Sequence, residues 1–438
     1  MVDGRSSFAF CQPHYEDVPA PCDDVERAKA LTYVHYTTSD LHGRPLGKLV
    51  PVYPDECLLN NKVYLCPVFF DLTPNPERME LELDEVAVEA GFGNAPLTPI
   101  PSTLSPWFSE DERSRRVICE NDLDLSPRTL CRRILERLPM DFKSAFEYEF
   151  FIGNIDANTN SFSPAFKSPD IYSQHGLSMG NKILQFSKSV VEECENQNPP
   201  IKITTINLEY GPGQVEMPLA PHLGIDSADA GFTFKEIVRR AASDSGYDAT
   251  FCSSFDGIGC GSGGHFNFSL PNCDEEMSMQ FVAGILQHVP GITALCAPSL
   301  PCYARQGHWS PTKNDYDEDN RMCCIRGKND RGNRYFELRL PSSACNPYLV
   351  LGAVIACGQE GIEKRLKMSD VEKTDVPNSL SAALTALNED DHIVEAFGKR
   401  FVEIFTNVKR AEIDGFERLL AKGETLENIY VQQYMKWL

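Results

Sequence analysis

Residues 207–221 read NLEYGPGQVEMPLAP, a segment in which two glutamates flank a Gly-Pro-Gly turn. Glu209 precedes the turn, Glu216 follows it, and Gln214 lies between them. Gly-Pro-Gly between short runs of apolar residues predicts a tight hairpin. A solvated hairpin usually mixes lysine, threonine and serine with its acids, whereas this one carries two acids and no base. The segment therefore predicts that two carboxylates are held close together beside apolar residues.

Three further segments alternate polar and apolar residues, the pattern of a strand whose two faces differ. They are SAFEYEFFI (144–152), GGHFNFSL (263–270) and RYFELRLP (334–341). The polar faces of these segments, together with the hairpin, carry five glutamates, one histidine, one arginine and no lysine: Glu147, Glu149, Glu209, Glu216, Glu337, His265 and Arg339. For one strand alone, a solvated outer face explains the alternation. Four such strands together favour a single shared cavity.

Carboxylates that line one cavity repel each other unless cations lie between them. Carboxylate oxygens with a single imidazole suit Mg²⁺ or Mn²⁺ better than zinc or copper. Several converging carboxylates predict two or more metal ions, the arrangement that clamps a phosphoryl group during its transfer.

Four arginines gather before and within the last of these strands: Arg305, Arg321, Arg326 and Arg339. Surface arginines in a loop would explain the cluster equally well when it is taken alone. Arginine gives bidentate recognition of carboxylates and phosphates, so arginines beside metals indicate a polyphosphate and an anionic co-substrate. The glycine-rich stretch 257–266 runs into a strand rather than a helix, which excludes a dinucleotide-binding fingerprint and predicts close backbone approach beside His265.

Length, net charge and cysteine pattern limit the classes of protein to which this chain could belong. A chain of 438 residues predicts two domains, and its net charge of −22 argues against nucleic-acid partners and anionic membranes. None of the sixteen cysteines forms a C-x-x-C pair. The first ten residues, MVDGRSSFAF, lack the apolar core of a secretory signal, and no apolar run reaches the ~20 residues of a membrane span. We therefore expect free thiols and a cytoplasmic location.

The positions of proline, glycine and charged residues along the chain predict its domain boundaries and its helices and strands. Residues 1–27 are rich in proline and acids and predict a flexible lead-in, and a boundary near residue 122 predicts an N-terminal domain over residues 28–122 and a larger domain over residues 123–438. Alternation on both sides of Asp40–Gly43 predicts two strands and a turn. Ser126 and Pro127 predict the start of a helix, and the pattern is helical from residue 379 onward.

Five segments, in this order, carry a resemblance to a known family: FEYEF, EYGPGQVE, GSGGHFNFSL, NRMCCIR and FELRLPSSACNPYLVLGAVIACGQEGI. They resemble the class-I-type glutamine synthetases over residues 30–435, more weakly before residue 120. The resemblance implies an α+β fold with a small N-terminal β-grasp-like domain. It also implies a larger α+β catalytic domain that contains a metal-lined bifunnel.

The resemblance also implies roles for individual residues. Glu147, Glu209 and Glu216 would hold one metal ion; Glu149, His265 and Glu337 would hold the second. Gly261, Arg305 and Arg339 would bind the amino-acid substrate; Arg321 and Arg339 would act on the transferring phosphoryl group and the γ-carboxylate; Ser269, Arg326 and Asn267 would contact ATP. The implied partners are ATP, glutamate and an amine. The implied assembly is a homo-oligomer, a dodecamer of two stacked rings.

Some positions depart from the family pattern. Cys260 stands where the family has asparagine, Tyr335 where it has arginine, and Trp309 where the flap has a glutamate that helps bind ammonium. The segment FFDLTPN (69–75) is a poor match for the family's ammonium-site loop. Loss of both acids disfavours free ammonia, whereas a tryptophan could cover an alkyl or aryl amine.

This pattern is similar to two branches of the superfamily: the γ-glutamyl-amine ligases, and lengsin, a catalytically silent relative with a structural or chaperone-like role. Two functions therefore remain open. The chain is an ATP-dependent ligase that forms a γ-glutamyl amide, or a silent ring-forming protein that binds cytoskeletal partners. The complete set of six metal ligands and four arginines favours the ligase, because buried glutamates are costly without cations.

Overall fold

The computed structural model describes residues 26–70, 72–75, 93–108, 113–121, 123–166, 180–256, 261–330 and 332–438. Nearly all of the lead-in predicted at residues 1–27 lies outside these ranges, as do Asp71 and Cys260.

The N-terminal part contains a mixed sheet with the order β2-β1-β6-β4-β3, and β5 pairs with β6. Its strands are β1 (Thr32–Ser39), β2 (Pro45–Val52), β3 (Val63–Leu65), β4 (Ala95–Pro99), β5 (Ser105–Pro106) and β6 (Ser114–Glu120). The Asp40 carboxylate accepts hydrogen bonds from the main-chain nitrogens of His42 (2.9 Å) and Arg44 (2.8 Å), while Gly43 takes a φ of +77°. These contacts make the turn between β1 and β2, so the prediction of two strands here is confirmed.

The larger part is built on an antiparallel sheet with the order β14-β15-β16-β13-β7-β10-β9. Its strands are β7 (Lys143–Asp156), β8 (Ser161–Pro164), β9 (Asn207–Leu208), β10 (Gln214–Pro218), β11 (His222–Leu223), β12 (Asp248–Thr250), β13 (Gly264–Ser269), β14 (Tyr316–Glu318), β15 (Ile325–Asp330) and β16 (Asn333–Leu338). The 14-residue β7 also pairs with β8, β11 and β12, and within the described part of this sheet only the β14–β15 pair is parallel. This long strand therefore organises the sheet.

The described ranges also contain α-helices. They are α1 (Pro127–Leu135), α2 (Asn181–Glu195), α3 (Asp226–Asp244), α4 (Glu275–Gln287), α5 (Val289–Cys296), α6 (Leu300–Tyr303), α7 (Pro347–Glu363), α8 (Leu380–Glu389), α9 (Asp391–Phe397), α10 (Lys399–Ala421) and α11 (Leu426–Tyr430). Short 3₁₀ turns span Pro67–Phe70, Pro101–Thr103 and Met368–Asp370, and a π turn spans Val431–Met435. The predicted helix starts after Ser126 and after residue 379 are confirmed.

The apolar faces of β7 and β13 form an aromatic layer. Phe146 and Tyr148 stack at 5.2 Å between ring centroids, and Phe146 lies 4.8 Å from Phe266. From α3, Phe234 stacks on Tyr148 at 5.8 Å, and from α4, Phe281 lies 5.8 Å from Phe268. Because side chains alternate along a strand, burying these rings leaves Glu147 and Glu149 of β7, and His265 of β13, on the opposite face.

Buried polar contacts join the N-terminal sheet to the larger part. The Asn346 side chain accepts a hydrogen bond from the Tyr348 nitrogen at the start of α7 and donates to the main-chain oxygen of Asp40 at 2.9 Å. Lys409 of α10 lies 2.9 Å from Glu412 and 3.2 Å from the Nδ1 atom of His42. These contacts hold the β1–β2 turn against helices α7 and α10.

In the described ranges, no single helix is both long enough and apolar enough to cross a membrane. The bent pair α4 and α5, which meets the length and composition criteria together, turns by 75° between its two halves, and its apolar residues are mostly buried in the core.

At the α4–α5 junction, His288 connects two other helices. Its Nδ1 atom lies 2.8 Å from the Asp390 carboxylate, and its Nε2 atom lies 2.7 Å from the Glu360 carboxylate. Burial alone would lower the pKa of His288, but the hydrogen bonds and charges of Asp390 and Glu360 outweigh it and raise the pKa above its usual value.

A raised pKa in the folded state makes the His288 contribution to stability pH-dependent. It is fully present below the unfolded-state pKa of about 6.5 and is lost as pH rises through the folded-state value. We expect His288→Gln to lower the free energy of unfolding by about 3 kcal/mol at pH 6, and by less at pH 9. Thermal unfolding of both proteins across this range measures the difference, and a pH-independent difference would contradict the assignment.

Candidate active site

Strand register brings the predicted polar faces together. In the pairing of β13 with β7, His265 lies opposite Glu147, and in the pairing of β10 with β7, Glu216 lies opposite Glu149. In the pairing of β16 with β13, Glu337 lies opposite Asn267. Directly opposed residues on neighbouring strands project from the same face of the sheet. The polar residues of these strands therefore share one surface.

Three of these side chains form a cluster with the geometry of a metal site. Ligand atoms of Glu147, His265 and Glu337 all lie within 4.8 Å of one another. The His265 Nδ1 atom is 3.6 Å from Glu147 and 3.4 Å from Glu337, and it is buried without a hydrogen-bond partner in the described part of the chain. A buried imidazole nitrogen between two carboxylates fits a divalent cation.

This cluster corrects the grouping that the resemblance implied. We expected Glu149 beside His265 and Glu337, but the structure places Glu147 there. Both glutamates lie on the same face of β7, so alternation could not tell them apart. Register decides the matter, because His265 pairs with Glu147 whereas Glu149 pairs with Glu216.

The other half of the site, at Glu149, Glu209 and Glu216, carries an excess of negative charge. Glu149 accepts hydrogen bonds from the Gly263 nitrogen at 2.9 Å and from the Gln214 side chain at 3.0 Å. Burial raises the pKa of Glu216, as do its hydrogen bond with Glu209 and the nearby carboxylates. Burial also raises the pKa of Glu149, with Glu209 adding to the effect. A divalent cation would relieve this repulsion.

In the half of the site that contains Glu337, positively charged protein side chains already surround the carboxylate. Glu337, which is 1% exposed, accepts a hydrogen bond from Arg339, lies 3.2 Å from the Arg326 guanidinium and lies 2.9 Å from the Lys328 ammonium. Burial opposes its ionisation, but His265, Arg339 and Lys328 outweigh burial and lower the pKa of Glu337 to about 2. The two halves of the site thus differ in charge balance.

Lys328 corrects the expectation of a lysine-free face. It lies on β15, a fifth strand that pairs with β16 so that Arg326 is opposite Glu337. Lys328 and Arg326 are two residues apart on β15 and therefore share a face. That spacing is the signal in the sequence that could have identified Lys328. Gln214 was also missed as a contact of Glu149, although it shares the face of Glu216.

Arg305 and Gly261 lie against each other, as substrate-binding neighbours would. A Cβ atom on Gly261 would overlap the side chain of Arg305, so only glycine permits this approach. Arg305 is 4% exposed, and its Nη1 atom lies 3.3 Å from each of two main-chain oxygens, those of Leu340 and Pro341. Burial lowers the pKa of Arg305. Because no carboxylate in the described ranges forms an ion pair with it, an anionic substrate group would complete its environment.

The three residues Asn267, Ser269 and Arg321, predicted to act on the nucleotide side, do not lie together. The Asn267 side chain donates to Glu147 at 3.3 Å, while Ser269 lies at the far end of β13 opposite Lys143. Arg321 is exposed, and the structure does not bring it into the buried cation cluster around Glu337.

The predicted flap residue Trp309 contacts the site through its main chain. Its side chain is 65% exposed, and its φ of +63° is unusual for a bulky residue. Its main-chain oxygen accepts a hydrogen bond from Arg339 at 3.2 Å. Tyr335, which replaces the family arginine, has its ring centroid 5.4 Å from the Lys328 ammonium. The flap and the metal-ligand strands are thus connected through Arg339.

Comparison with known proteins agrees with this geometry. The family model "Glutamine synthetase, catalytic domain" matches residues 124–427. Human lengsin is 26% identical over 91% of this chain and 83% of its own length. The glutamine synthetase of Methanococcus maripaludis is 28% identical over 93% of this chain and 96% of its own length.

Solved structures share the fold. The crystal structure of a novel glutamine synthase homolog has a TM-score of 0.74 at 22% identity, covering 94% of this chain and all of the other. GmaS in complex with ADP has a TM-score of 0.71 at 22% identity, covering 89% of this chain and 95% of the other. With more than half of its length matched by the catalytic-domain model, this chain belongs to the glutamine synthetase family.

Proposed function

We propose that the protein is an ATP-dependent ligase that joins the γ-carboxylate of glutamate to an amine. The observation that carries the proposal is the convergence of carboxylates, one imidazole and buried arginines on a single face of the sheet. Buried like charges are costly, and a protein without a cationic ligand gains nothing from assembling them. Family membership supports the use of ATP and a divalent metal.

Two groups of residues would hold the metals: Glu149, Glu209 and Glu216 in one half, and Glu147, His265 and Glu337 in the other. Their oxygen-rich donor set favours Mg²⁺ or Mn²⁺. Bound divalent cations would neutralise phosphate charge and orient the transferring group.

The reaction would proceed in two steps. An oxygen of the glutamate γ-carboxylate forms a bond to the γ-phosphorus of ATP while the bond from that phosphorus to ADP breaks. The amine nitrogen then attacks the carbonyl carbon of γ-glutamyl phosphate, inorganic phosphate leaves, and the nitrogen loses a proton. Arg305 would bind the α-carboxylate and Arg339 the γ-carboxylate, and Arg321, Arg326, Asn267 and Ser269 would act on the nucleotide side.

The acceptor would be an alkyl or aryl amine rather than free ammonia. Trp309 occupies the flap in place of an acid, and an exposed indole can pack against the apolar part of an amine. By analogy with the family, we extend the proposal to a homo-oligomer, a dodecamer of two stacked rings, located in the cytoplasm.

A silent, lengsin-like oligomer that binds cytoskeletal partners is the second candidate. The 26% identity with human lengsin over 91% of the chain favours it. It does not account for the negative charge gathered at Glu149, Glu209 and Glu216, which would destabilise a scaffold that binds no cation.

Phosphate release from ATP separates the two candidates. We expect release that depends on glutamate, on Mg²⁺ or Mn²⁺, and on an amine drawn from ammonium, hydroxylamine, methylamine, ethylamine and benzylamine. Glu337→Gln should lower turnover at least about 100-fold, because it removes a metal ligand and the charge partner of three cations. Glu395→Gln, at an exposed position of α9, is the matched control and should leave turnover unchanged.

Absence of turnover with every amine, in a protein that binds Mn²⁺ by calorimetry, would overturn the ligase proposal and favour the silent oligomer. Absence of Mn²⁺ binding as well would contradict the metal assignment.

Lys328 should weaken metal binding at the Glu337 half of the site, because its ammonium already lies 2.9 Å from a Glu337 oxygen. We expect Lys328→Met to tighten Mn²⁺ binding about tenfold, the equivalent of ~1.4 kcal/mol of relieved repulsion. Lys313→Met removes an exposed lysine and is the control. Calorimetric titration measures both, and weaker binding by Lys328→Met would refute a competing role for Lys328.

Trp309→Gly tests the role of the indole without disturbing the backbone, because glycine accepts the φ of +63° readily. The Arg339 contact involves the main-chain oxygen and should persist. We expect kcat/KM for benzylamine to fall about tenfold, because that ratio corresponds to the binding free energy of one aromatic contact. The value for hydroxylamine should stay within about twofold. Trp309→Phe should retain most of the benzylamine activity. Equal losses with both amines would indicate a flap defect instead.

A further inference from the structure

A cavity of about 620 Å³ lies away from the active site, between β1 and β2 of the N-terminal sheet, helix α3 and the last residues of the chain. We name it the Arg116 cavity after the arginine on β6 that lines its inner wall. None of the residues assigned above to metal, ATP or glutamate binding lines it. Its volume lies within the range of about 300–1,000 Å³ that small-molecule sites occupy.

The lining of the Arg116 cavity is basic, although the protein as a whole carries a net charge of −22. The described lining residues include five cations and one acid: Arg44, Arg116, Arg239, Arg240, Lys436 and Glu236. Three of the cations have carboxylate partners, since Arg44 pairs with Asp40, Arg116 with Glu236 and Arg240 with Asp244. Arg239 donates a hydrogen bond to the main-chain oxygen of Leu438 but, like Lys436, forms no ion pair with an aspartate or glutamate in the described ranges.

Arg116 is held in a fixed orientation, with its guanidinium 5.2 Å from the ring centroids of both Trp107 and Phe232. Its Nη1 atom donates to the Thr233 hydroxyl at 2.9 Å, and its Nε atom lies 2.6 Å from a Glu236 oxygen in an ion pair without hydrogen-bond geometry. The side chain is 2% exposed, yet its Nη2 atom has no hydrogen-bond partner among the described residues. A buried donor without an acceptor costs free energy, which a bound anion would recover.

The electrostatics of Arg239 support the same conclusion. Burial lowers the pKa of Arg239 to about 10, with Arg44 adding to the effect against Glu236. Arg128 is also buried, but Asp229 and Glu120 outweigh its burial and raise its pKa. Arg239 therefore resembles Arg305, the buried cation assigned to the substrate carboxylate, rather than a cation of a complete structural ion pair.

The walls are aromatic as well as basic. Two of the chain's three tryptophans, Trp107 and Trp437, line the cavity, and His35 lies 6.3 Å from Trp107 between ring centroids. Indole faces favour the flat or apolar body of a ligand, while arginine favours its carboxylate or phosphate. We propose that the Arg116 cavity is a second ligand site, which binds a small organic dianion with a planar or apolar body.

Intrinsic fluorescence can report this binding, because most of the tryptophans line the cavity. The probes are phthalate and succinate as dicarboxylates, and phenyl phosphate and inorganic phosphate as phosphates, each titrated without ATP or amine. We expect phthalate or phenyl phosphate to change tryptophan fluorescence, and to bind more tightly than succinate or inorganic phosphate. The better of the two planar probes distinguishes a carboxylate ligand from a phosphate ligand.

Variants locate the site. Arg239→Gln and Lys436→Gln should each weaken binding of the better probe at least tenfold by calorimetry, whereas Lys422→Gln, at an exposed position, should have no effect. Lys436 is exposed, so its replacement leaves the fold intact even if an Arg239 variant proves unstable. Arg305→Gln, which changes the active site only, should bind the better probe as tightly as the unaltered protein does.

Binding that survives both cavity variants, or that is lost in Arg305→Gln, would place the anion elsewhere and overturn the proposal. Absence of binding by every probe would do the same. None of these outcomes depends on catalysis, so failure here is separable from failure of the ligase proposal.

Discussion

The pairing register of β7 is the constraint on which the site depends. One strand of 14 residues sets Glu147 opposite His265 on one side and Glu149 opposite Glu216 on the other. A shift of β7 by one residue would move Glu147 and Glu149 into the aromatic layer. Burial of Phe146 and Tyr148 against helices makes that shift prohibitively costly, so core packing fixes the geometry of the polar face.

Charge is distributed unevenly over this face. Around Glu337, protein cations already balance the carboxylates, and the pKa of Glu337 falls to about 2. Around Glu216, burial, the hydrogen bond with Glu209 and the neighbouring carboxylates raise the pKa. The half that contains Glu149, Glu209 and Glu216 therefore has the greater need of an added cation. Substrate and metal binding would both act on this imbalance, and Arg339 links it to the flap through Trp309.

Much of the site could be predicted, since alternation along a strand is a local property. It assigned Glu147, Glu149, His265 and Glu337 to polar faces. The helix start at Pro127 followed from a local cap signal, and the helix from Leu380 followed from helical periodicity. The errors arose where pairing between distant segments matters. Glu147 and Glu149 were exchanged between the two metal groups, and Lys328 was overlooked because its strand was not among the four first considered.

The amino-acid sequence by itself determined which side chains share a face, where the hairpin turns and which chemistry those residues allow, because these depend on neighbours one to four positions away. Only the tertiary structure decided which carboxylate meets His265, which cations reach Glu337, and that Arg116 lines a basic cavity with two tryptophans. Residues that meet in these places are separated by up to several hundred positions. Strand register and helix packing bring them together, and no local periodicity encodes either one.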